Sequence, residues 1–315
     1  MGPPTRAGRD PRAAGGTARP RGDVPGAGRR KPEPGTGGPL MSAANTVRTL
    51  RLGFFYMLLN LKTIYRQPAA LFFVVAFPIM FLVIFSSLLT FEIGIPEEAG
   101  GQVPVVTFSQ YFVAGIMGVA IFGTSFNLLG TSLAIQQFDG TLKQLAATPL
   151  PRTSFFIGLV GTALPYTVLQ LIIMLILGVV AYGIDLPDAA GWLTLIWIVL
   201  LGVPAGCVLG IAITKIIPSA NAAPAVIQAP FIILQFISGV FFTLASLPTA
   251  LQWIAGVFPL RWIAQGLRSV FLPDAYRYAE PGMSWQLELA AIVLAVWIVV
   301  GLGLSVLTFK WDRSG

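Results

Sequence analysis

Six long stretches of this chain contain no charged side chain, and they constrain the fold more than any other feature. Each has at least 21 residues, while a helix needs about 20 predominantly apolar residues to cross the hydrocarbon core of a membrane. The stretches are 67–91, 99–138, 153–184, 189–214, 216–260 and 289–309. They predict an all-α integral membrane protein with six transmembrane helices, near Ala69–Leu89, Tyr111–Ile135, Phe155–Tyr182, Gly191–Ile213, Ala222–Leu244 and Leu289–Phe309.

The composition supports lipid as the main solvent of the chain. Charged residues make up 10% and hydrophobic residues 55% of the sequence, whereas soluble domains are about 25% charged. The mean hydropathy of +0.79 agrees with this reading.

Missing residue types exclude several kinds of chemistry. The chain has no histidine, which excludes histidine acid–base catalysis, Ser-His-Asp triads and histidine metal sites. The single cysteine, Cys207, excludes an intrachain disulfide. No lysine follows a glycine, so the Gly-Lys pair of an ATP-binding P-loop is missing. We therefore expect no catalytic centre, bound cofactor or metal in this chain.

The first 40 residues differ from the rest. They contain eighteen Gly and Pro and eight basic residues against three acids, with Val24 and Leu40 as the only large aliphatic side chains. Such a segment buries too little surface to offset its chain entropy. We predict that residues 1–40 form a disordered basic tail, that residues 41–315 form the six-span domain, and that Met41 is an alternative translation start. Most of the net charge of +7 lies in this tail, so it indicates no nucleic-acid partner.

The segment from Val47 to Tyr65 has apolar residues at helical spacing. Basic side chains lie near one another on the opposite side of this helix, and they are Arg48, Arg51, Lys62 and Arg66. A basic amphipathic helix of this kind lies in the membrane interface. We therefore predict an interfacial helix in contact with membrane lipids. Pro68 ends this helix.

Loop charges predict the orientation. The loops after the first and third spans carry acids and no basic residue, which places them outside, whereas Lys143, Arg152, Lys215 and Lys310 mark the cytoplasmic side and place both termini there. The outer stretch 245–288 breaks the rule because it contains three arginines, namely Arg261, Arg268 and Arg277. It is also apolar. We interpret it as a re-entrant segment in the outer leaflet whose arginines extend to the headgroups.

A few polar side chains remain inside the predicted spans. Hydrogen bonds between helices explain such residues most simply. The alternative is that some of them line the path of an amphiphilic compound, and the candidates are Asn127, Gln228, Gln235 and Ser238. Three glycines at four-residue spacing, Gly202, Gly206 and Gly210, predict a surface for close helix packing.

The second cytoplasmic loop, 136–152, predicts a short helix at the inner surface. Leu142, Leu145 and Ala146 share one apolar face, with Lys143 and Gln144 turned away. Such a helix can dock in the groove of a cytoplasmic partner, with Leu142 and Leu145 filling that groove. The alternative is an ordinary tight loop.

This loop resembles a signature of the membrane subunits of type-2 ABC transporters, the exporter class that includes daunorubicin-resistance-like drug exporters. The matching positions are Asp139, Gly140, Thr141, Leu142, Leu145, Thr148 and Pro149. Further similarity lies in Arg66-Gln67-Pro68, in the stretch from Gly239 to Pro248, and in Phe258-Pro259-Leu260. Gln136 and Gln137 depart from the family pattern, which often has an acid and an arginine there.

The resemblance implies the permease subunit of an ATP-driven exporter in the plasma membrane. This permease would pair with a second copy of itself or with a paralogue, and the pair would enclose a transport path. Separate P-loop ABC ATPase subunits would bind ATP and Mg²⁺ and push on the short helix of the second cytoplasmic loop. The absence of charge in the spans favours a hydrophobic or amphiphilic cargo, either a drug-like natural product or a lipid. The alternatives are a lipid-linked polysaccharide exporter, whose path would be rich in aromatic residues, a membrane-embedded enzyme, and a passive channel or scaffold.

Overall fold

The computed structural model describes residues 2, 39–66, 68–93, 105–148 and 151–308, and it divides into the units Met1–Ser42 and Ala43–Gly315. Almost all of the predicted basic tail lies outside the described residues. The helices are α1 Pro39–Tyr65, α2 Pro68–Leu88, α3 Phe108–Gly123, α4 Leu129–Phe138, α5 Thr141–Ala146, α6 Arg152–Tyr182, α7 Ala189–Ile213, α8 Ala223–Ile237, α9 Thr249–Val257, α10 Pro259–Phe271 and α11 Leu287–Thr308. Two short antiparallel strands, β1 (Glu92–Ile93) and β2 (Val106–Thr107), precede α3.

The all-α membrane architecture is confirmed, because a helix lies at each of the six predicted spans. Within the described residues, four helical segments are long and apolar enough to cross a membrane, namely Phe108–Phe138, Thr153–Tyr182, Ala189–Ile216 and Ala220–Ile237. The first and last predicted spans correspond to the shorter apolar helical stretches Ala76–Leu88 and Leu287–Gly303. Six crossings in total therefore stay a prediction.

The fifth predicted span ends earlier than expected. We predicted it to reach Leu244, but α8 ends at Ile237. Gly239 adopts a φ of +76°, a left-handed conformation that a helix cannot continue through and that glycine tolerates best.

Contacts between helix ends show which loops share a face. Tyr111 at the start of α3 bonds to the turn after α8, while Gln137 at the end of α4 bonds to Thr214 at the end of α7. We call the Tyr111 end of the bundle the outer end, following the topology that the loop charges predict.

Helix α1 packs along the first half of α6. The Ser154 hydroxyl donates to the Thr49 carbonyl oxygen over 2.9 Å, and the rings of Tyr56 and Phe155 lie 5.4 Å apart. The predicted basic set is exposed, as expected for a polar face, and comprises Arg48, Arg51, Lys62 and Arg66. Several apolar side chains of α1 are also exposed, as an interfacial helix requires, and these are Val47, Leu50, Phe54, Phe55, Leu58 and Leu59.

The centre of the bundle is one long helical span made of α3, a π-helical turn at Thr124–Leu128, and α4. A π turn disturbs the regular ladder of backbone hydrogen bonds. The Ser125 hydroxyl lies within hydrogen-bond distance of the carbonyl oxygens of Ile121 (2.8 Å) and Phe122 (3.1 Å), so it supplies a donor there. Almost all of α3 is buried, which makes this span the core of the protein.

The predicted packing role of the α7 glycines is confirmed. A Cβ atom at Gly206 would overlap the Ser125 hydroxyl and lie 2.9 Å from Ser125 Cβ. A Cβ atom at Gly210 would lie 2.6 Å from the Phe126 carbonyl oxygen, and one at Gly202 would lie 3.0 Å from an Ile263 side-chain carbon. The stripe therefore lets α7 approach the π turn and α10 more closely than any other residue type would allow.

We predict that Gly206→Ala destabilises the folded protein by about 1–3 kcal/mol, because the added methyl group has no space against the π turn. Thermal unfolding of the purified protein in detergent measures the effect. Gly303→Ala is the matched control, since a Cβ at Gly303 of α11 has no heavy atom within 4 Å. Equal melting temperatures for both variants would contradict the close contact at Gly206.

Candidate functional site

A cavity of about 580 Å³ lies beside the π turn, between α2, α3, α4, α6 and α8. Most of its wall is apolar, and three phenylalanines contribute to it, Phe77, Phe81 and Phe231. Phe77 is also exposed, so the cavity reaches the surface of the chain on the α2 side. This volume suits a small organic molecule or part of a lipid.

The polar side chains of the cavity wall are all neutral. They are Thr124, Asn127, Thr131, Gln170, Gln228 and Gln235. No charged side chain of the described residues lines this cavity. The predicted path residues Asn127, Gln228 and Gln235 are thus brought together in one wall, although their role in transport stays a prediction.

Hydrogen bonds across the cavity join the π turn to its neighbours. The Asn127 amide donates to Gln228 Oε1 on α8, and the Thr124 hydroxyl donates to Gln170 Oε1 on α6 over 3.0 Å. Both donors belong to the π turn, where the backbone departs from the regular spacing of an α-helix. Sequence reasoning missed this turn, since none of its residue types signals it.

Ser238 does not line the cavity. It follows the last residue of α8, and its buried hydroxyl has no hydrogen-bond partner among the described residues. Ser238 therefore lies apart from the other three candidates, and its role in the path stays a prediction.

A second polar cluster fixes the outer end of α8. The Gly239 carbonyl oxygen accepts hydrogen bonds from the Tyr111 hydroxyl (2.5 Å) and from Arg268 Nη1 (2.8 Å). Arg268 Nε also pairs with Glu280 Oε1 at 2.5 Å, and the two side chains are 0% and 3% exposed. The cluster therefore joins α3, α8 and α10 to the 3₁₀ turn at Asp274–Ala279, which Glu280 follows.

The prediction that the arginines of this segment extend to lipid headgroups is wrong for two of them. Arg268 is fully buried and paired with Glu280, an acid whose role we had not predicted. Arg261 is also buried, and its Nη1 donates to the Gln252 carbonyl oxygen over 3.0 Å. Only Arg277 is exposed enough to reach outward, and it pairs with Asp274. The two buried arginines of this segment thus bond within the protein rather than to lipid headgroups.

Tyr276 completes the outer cluster. Its ring centroid lies 5.9 Å from that of Tyr111, and the side chain is buried. Burial raises the pKa of the Tyr276 phenol, and the neighbouring Tyr111 raises it further against the smaller opposing effect of Arg268. Tyr276 is therefore uncharged at neutral pH.

The cytoplasmic loop forms the predicted short helix, α5, but its apolar face points inward. Leu142 is only 1% exposed, and Leu145 packs against the same core. Leu142 therefore cannot fill a groove on a partner in this conformation, whereas Leu145 keeps some exposed surface and its coupling role stays a prediction. Gly140 has a φ of +74°, as a turn between α4 and α5 requires. The exposed residues of the signature are Asp139, Thr141 and Thr148, and Pro149 lies outside the described residues.

Gln137, which departs from the family pattern, bonds within the chain. Its side-chain amide donates to the Thr214 hydroxyl over 3.4 Å. This position therefore ties α4 to α7.

The sequence model of one known family, described as ABC-2 type transporter, matches residues 40–272. The chain belongs to the ABC-2 type transporter family. A domain of this family is the membrane component, or permease, of an ABC transporter. Such a permease works with an ABC ATPase and usually has no ATPase site of its own. The match extends from the start of α1 to the end of α10 and includes the cavity and α5, whereas Tyr276 and Glu280 of the outer cluster lie beyond it. A comparison of this chain with curated proteins found no match.

We predict that Glu280→Gln destabilises the permease by about 3–5 kcal/mol, because it leaves the buried Arg268 charge without its partner. The matched control is Asp274→Asn, which removes the acid of a pair whose side chains are 40% and 67% exposed. Loss of an exposed pair costs at most about 1 kcal/mol. Chemical or thermal unfolding in detergent separates the two, and a small effect of Glu280→Gln would contradict the buried pair.

Proposed function

We propose that this chain is the permease subunit of an ATP-driven exporter of hydrophobic or amphiphilic compounds, such as drug-like natural products or lipids. The observation that carries the proposal is the cavity beside the π turn, which is apolar, has neutral polar groups and opens at the surface of the chain. Members of this family work with an ABC ATPase, so ATP hydrolysis in that subunit is the proposed source of energy. ATP and Mg²⁺ would bind in that separate subunit.

The exposed surface of α5 and its flanking residues is the proposed contact with the ATPase. It consists of Asp139, Thr141, Lys143, Gln144 and Thr148. Leu142 and Leu145 transmit the contact rather than make it, because they join α5 to the core that continues into α4. Movement of α5 would therefore pass directly to the span that carries the π turn.

A second permease copy or a paralogue is the proposed partner within the membrane. Only 22% of the apolar stretch Ala220–Ile237, which includes α8, is buried within the chain, and α2 also has many exposed apolar side chains. The cavity lies between these two helices. A second permease placed against them would close the open side of the cavity and complete a path.

The direction of transport and the plasma membrane location follow from the exporter class that the signature loop resembles. The loop charges support cytoplasmic termini, with α5 on the side where ATP is available.

A lipid-linked polysaccharide exporter is the second candidate, and one observation favours it. Such an exporter would have a path rich in aromatic residues, and Phe77, Phe81 and Phe231 all line the cavity. A passive channel or scaffold would need no ATPase.

Reconstitution tests the proposed function. The permease and an ABC ATPase that copurifies with it would be placed in liposomes that contain a fluorescent amphiphile such as Nile red. We expect dye movement away from the ATPase side only with ATP and Mg²⁺, and none with a hydrolysis-deficient ATPase. Transport of a lipid-linked oligosaccharide in place of the dye would favour the second candidate, and dye movement without ATP would contradict both.

We predict that Gln144→Trp prevents copurification of the ATPase and abolishes efflux while the permease still folds, because Gln144 is exposed on α5. The control is Leu186→Trp, which places the same side chain at an exposed position of the loop between α6 and α7. Leu142→Glu should instead reduce the amount of folded permease, since it buries a carboxylate inside the chain. Normal ATPase binding by Gln144→Trp would rule out this docking surface.

We predict that a membrane-impermeant thiol reagent added to intact cells labels Asp188→Cys but spares Thr141→Cys, both on a Cys207→Ala background. Both positions are exposed, so access depends on the side of the membrane. Cell disruption should make Thr141→Cys reactive, which controls for its accessibility. Labelling of Thr141→Cys in intact cells would reverse the topology.

A further inference from the structure

We infer that the cavity binds the uncharged part of its cargo and recognises hydrogen-bonding groups there through the amides of Gln228 and Gln235. This inference rests on the proposed function and names the chemistry of the cargo. The group that enters the cavity would carry carbonyl, hydroxyl, ether or amide functions on an apolar frame.

The first argument is the lack of any countercharge. Every polar side chain of the cavity wall is a neutral hydroxyl or amide, and most of the remaining wall is aliphatic or aromatic. A charged group that enters such a site loses its hydration and gains no ion pair in return. A neutral group loses much less. The wall therefore selects against both signs of charge.

The second argument is the placement of the two glutamines. Gln228 and Gln235 are seven residues apart on α8, which is nearly two full helical turns, so they lie on the same face about 10 Å apart along the helix. Both line the cavity. A cargo molecule that lies along α8 can reach both amides at once.

The third argument is that one of these amides is available. The Gln228 carbonyl oxygen accepts a hydrogen bond from Asn127, so its position is held by the π turn. Gln235 makes no hydrogen bond to another described residue, although it is partly buried in an apolar wall. An amide in such a place offers both a donor and an acceptor to a ligand.

The phenylalanines of the wall do not change this preference. A cation can bind over an aromatic face, but the rings of Phe77 and Phe81 lie 4.7 Å apart and contact each other. The ring of Phe231 lies 6.1 Å from Phe122 and 6.3 Å from Phe126. These ring contacts occupy part of the aromatic surface, and no acid of the described residues lines the cavity to balance a bound cation.

Three probes that share one fluorophore test the inference: dansylamide, which is neutral; dansylglycine, which is anionic; and a dansyl amide with a trimethylammonium group, which is cationic. Binding to the purified full-length permease in nanodiscs would be followed by fluorescence, with empty nanodiscs subtracted. We expect dansylamide to bind roughly tenfold more tightly than either charged probe.

Variants of Gln235 identify the recognising group. Gln235→Leu should weaken dansylamide binding severalfold, while Gln235→Glu should shift the preference toward the cationic probe. Gln252→Leu is the matched control, because it makes the same change on α9, outside the cavity. It should bind all three probes as the unmodified protein does.

Several results would overturn the inference: equal binding of a charged probe, no binding of any probe, or dansylamide binding that is unchanged in Gln235→Leu. Failure of the proposed function has a different result. In that case dansylamide would bind as expected, but the complete transporter with its ATPase would not move it when ATP is added.

Discussion

The close contact between the α7 glycines and the π turn of the central span determines the rest of the structure. Without side chains at Gly206 and Gly210, α7 reaches the side chain of Ser125 and the backbone of Phe126. In the same turn, the Thr124 hydroxyl donates to Gln170 on α6 and the Asn127 amide donates to Gln228 on α8. In lipid, a polar group without such a partner is costly, so the turn, the glycines and the two amides depend on one another. The cavity is the space that this arrangement leaves open.

The fold could be predicted from sequence because its strongest signal is local. Charge-free stretches report helices that lipid requires, and a helix lies at each predicted position. The errors arose where distant residues decide the outcome. Arg268 appeared to be an interfacial arginine, because its partner Glu280 lies beyond the end of α10 and pairing across that distance leaves no pattern. The sequence predicted that Leu142 faces a partner, but the chain itself buries this side chain. An amphipathic pattern identifies the apolar side of a helix and does not show which surface covers that side.

The candidate site was predictable only in part, for a related physical reason. Polar residues inside apolar spans mark positions that need a partner, and this signal identified Asn127, Gln228 and Gln235. It could not separate them from Ser238, which ends α8 and lies away from the cavity. The π turn has no signature in its residue types, so the geometry that gathers these side chains emerges only from the packing of α7 against the central span.

The bonds to the Gly239 carbonyl have a mechanical consequence for α8. Two donors, on α3 and α10, hold one end of this helix, while few of its residues are packed along its length. Pro230 within α8 has no N–H, so it leaves the Val226 carbonyl without its usual helical donor and lowers the bending stiffness there. The segment before Pro230 is also held, because Gln228 bonds to Asn127 and the side chains of Ala223 and Ile227 are buried. Bending of α8 is therefore concentrated near Pro230, and it would change the distance between Gln228 and Gln235, which lie on either side of that point in the cavity wall.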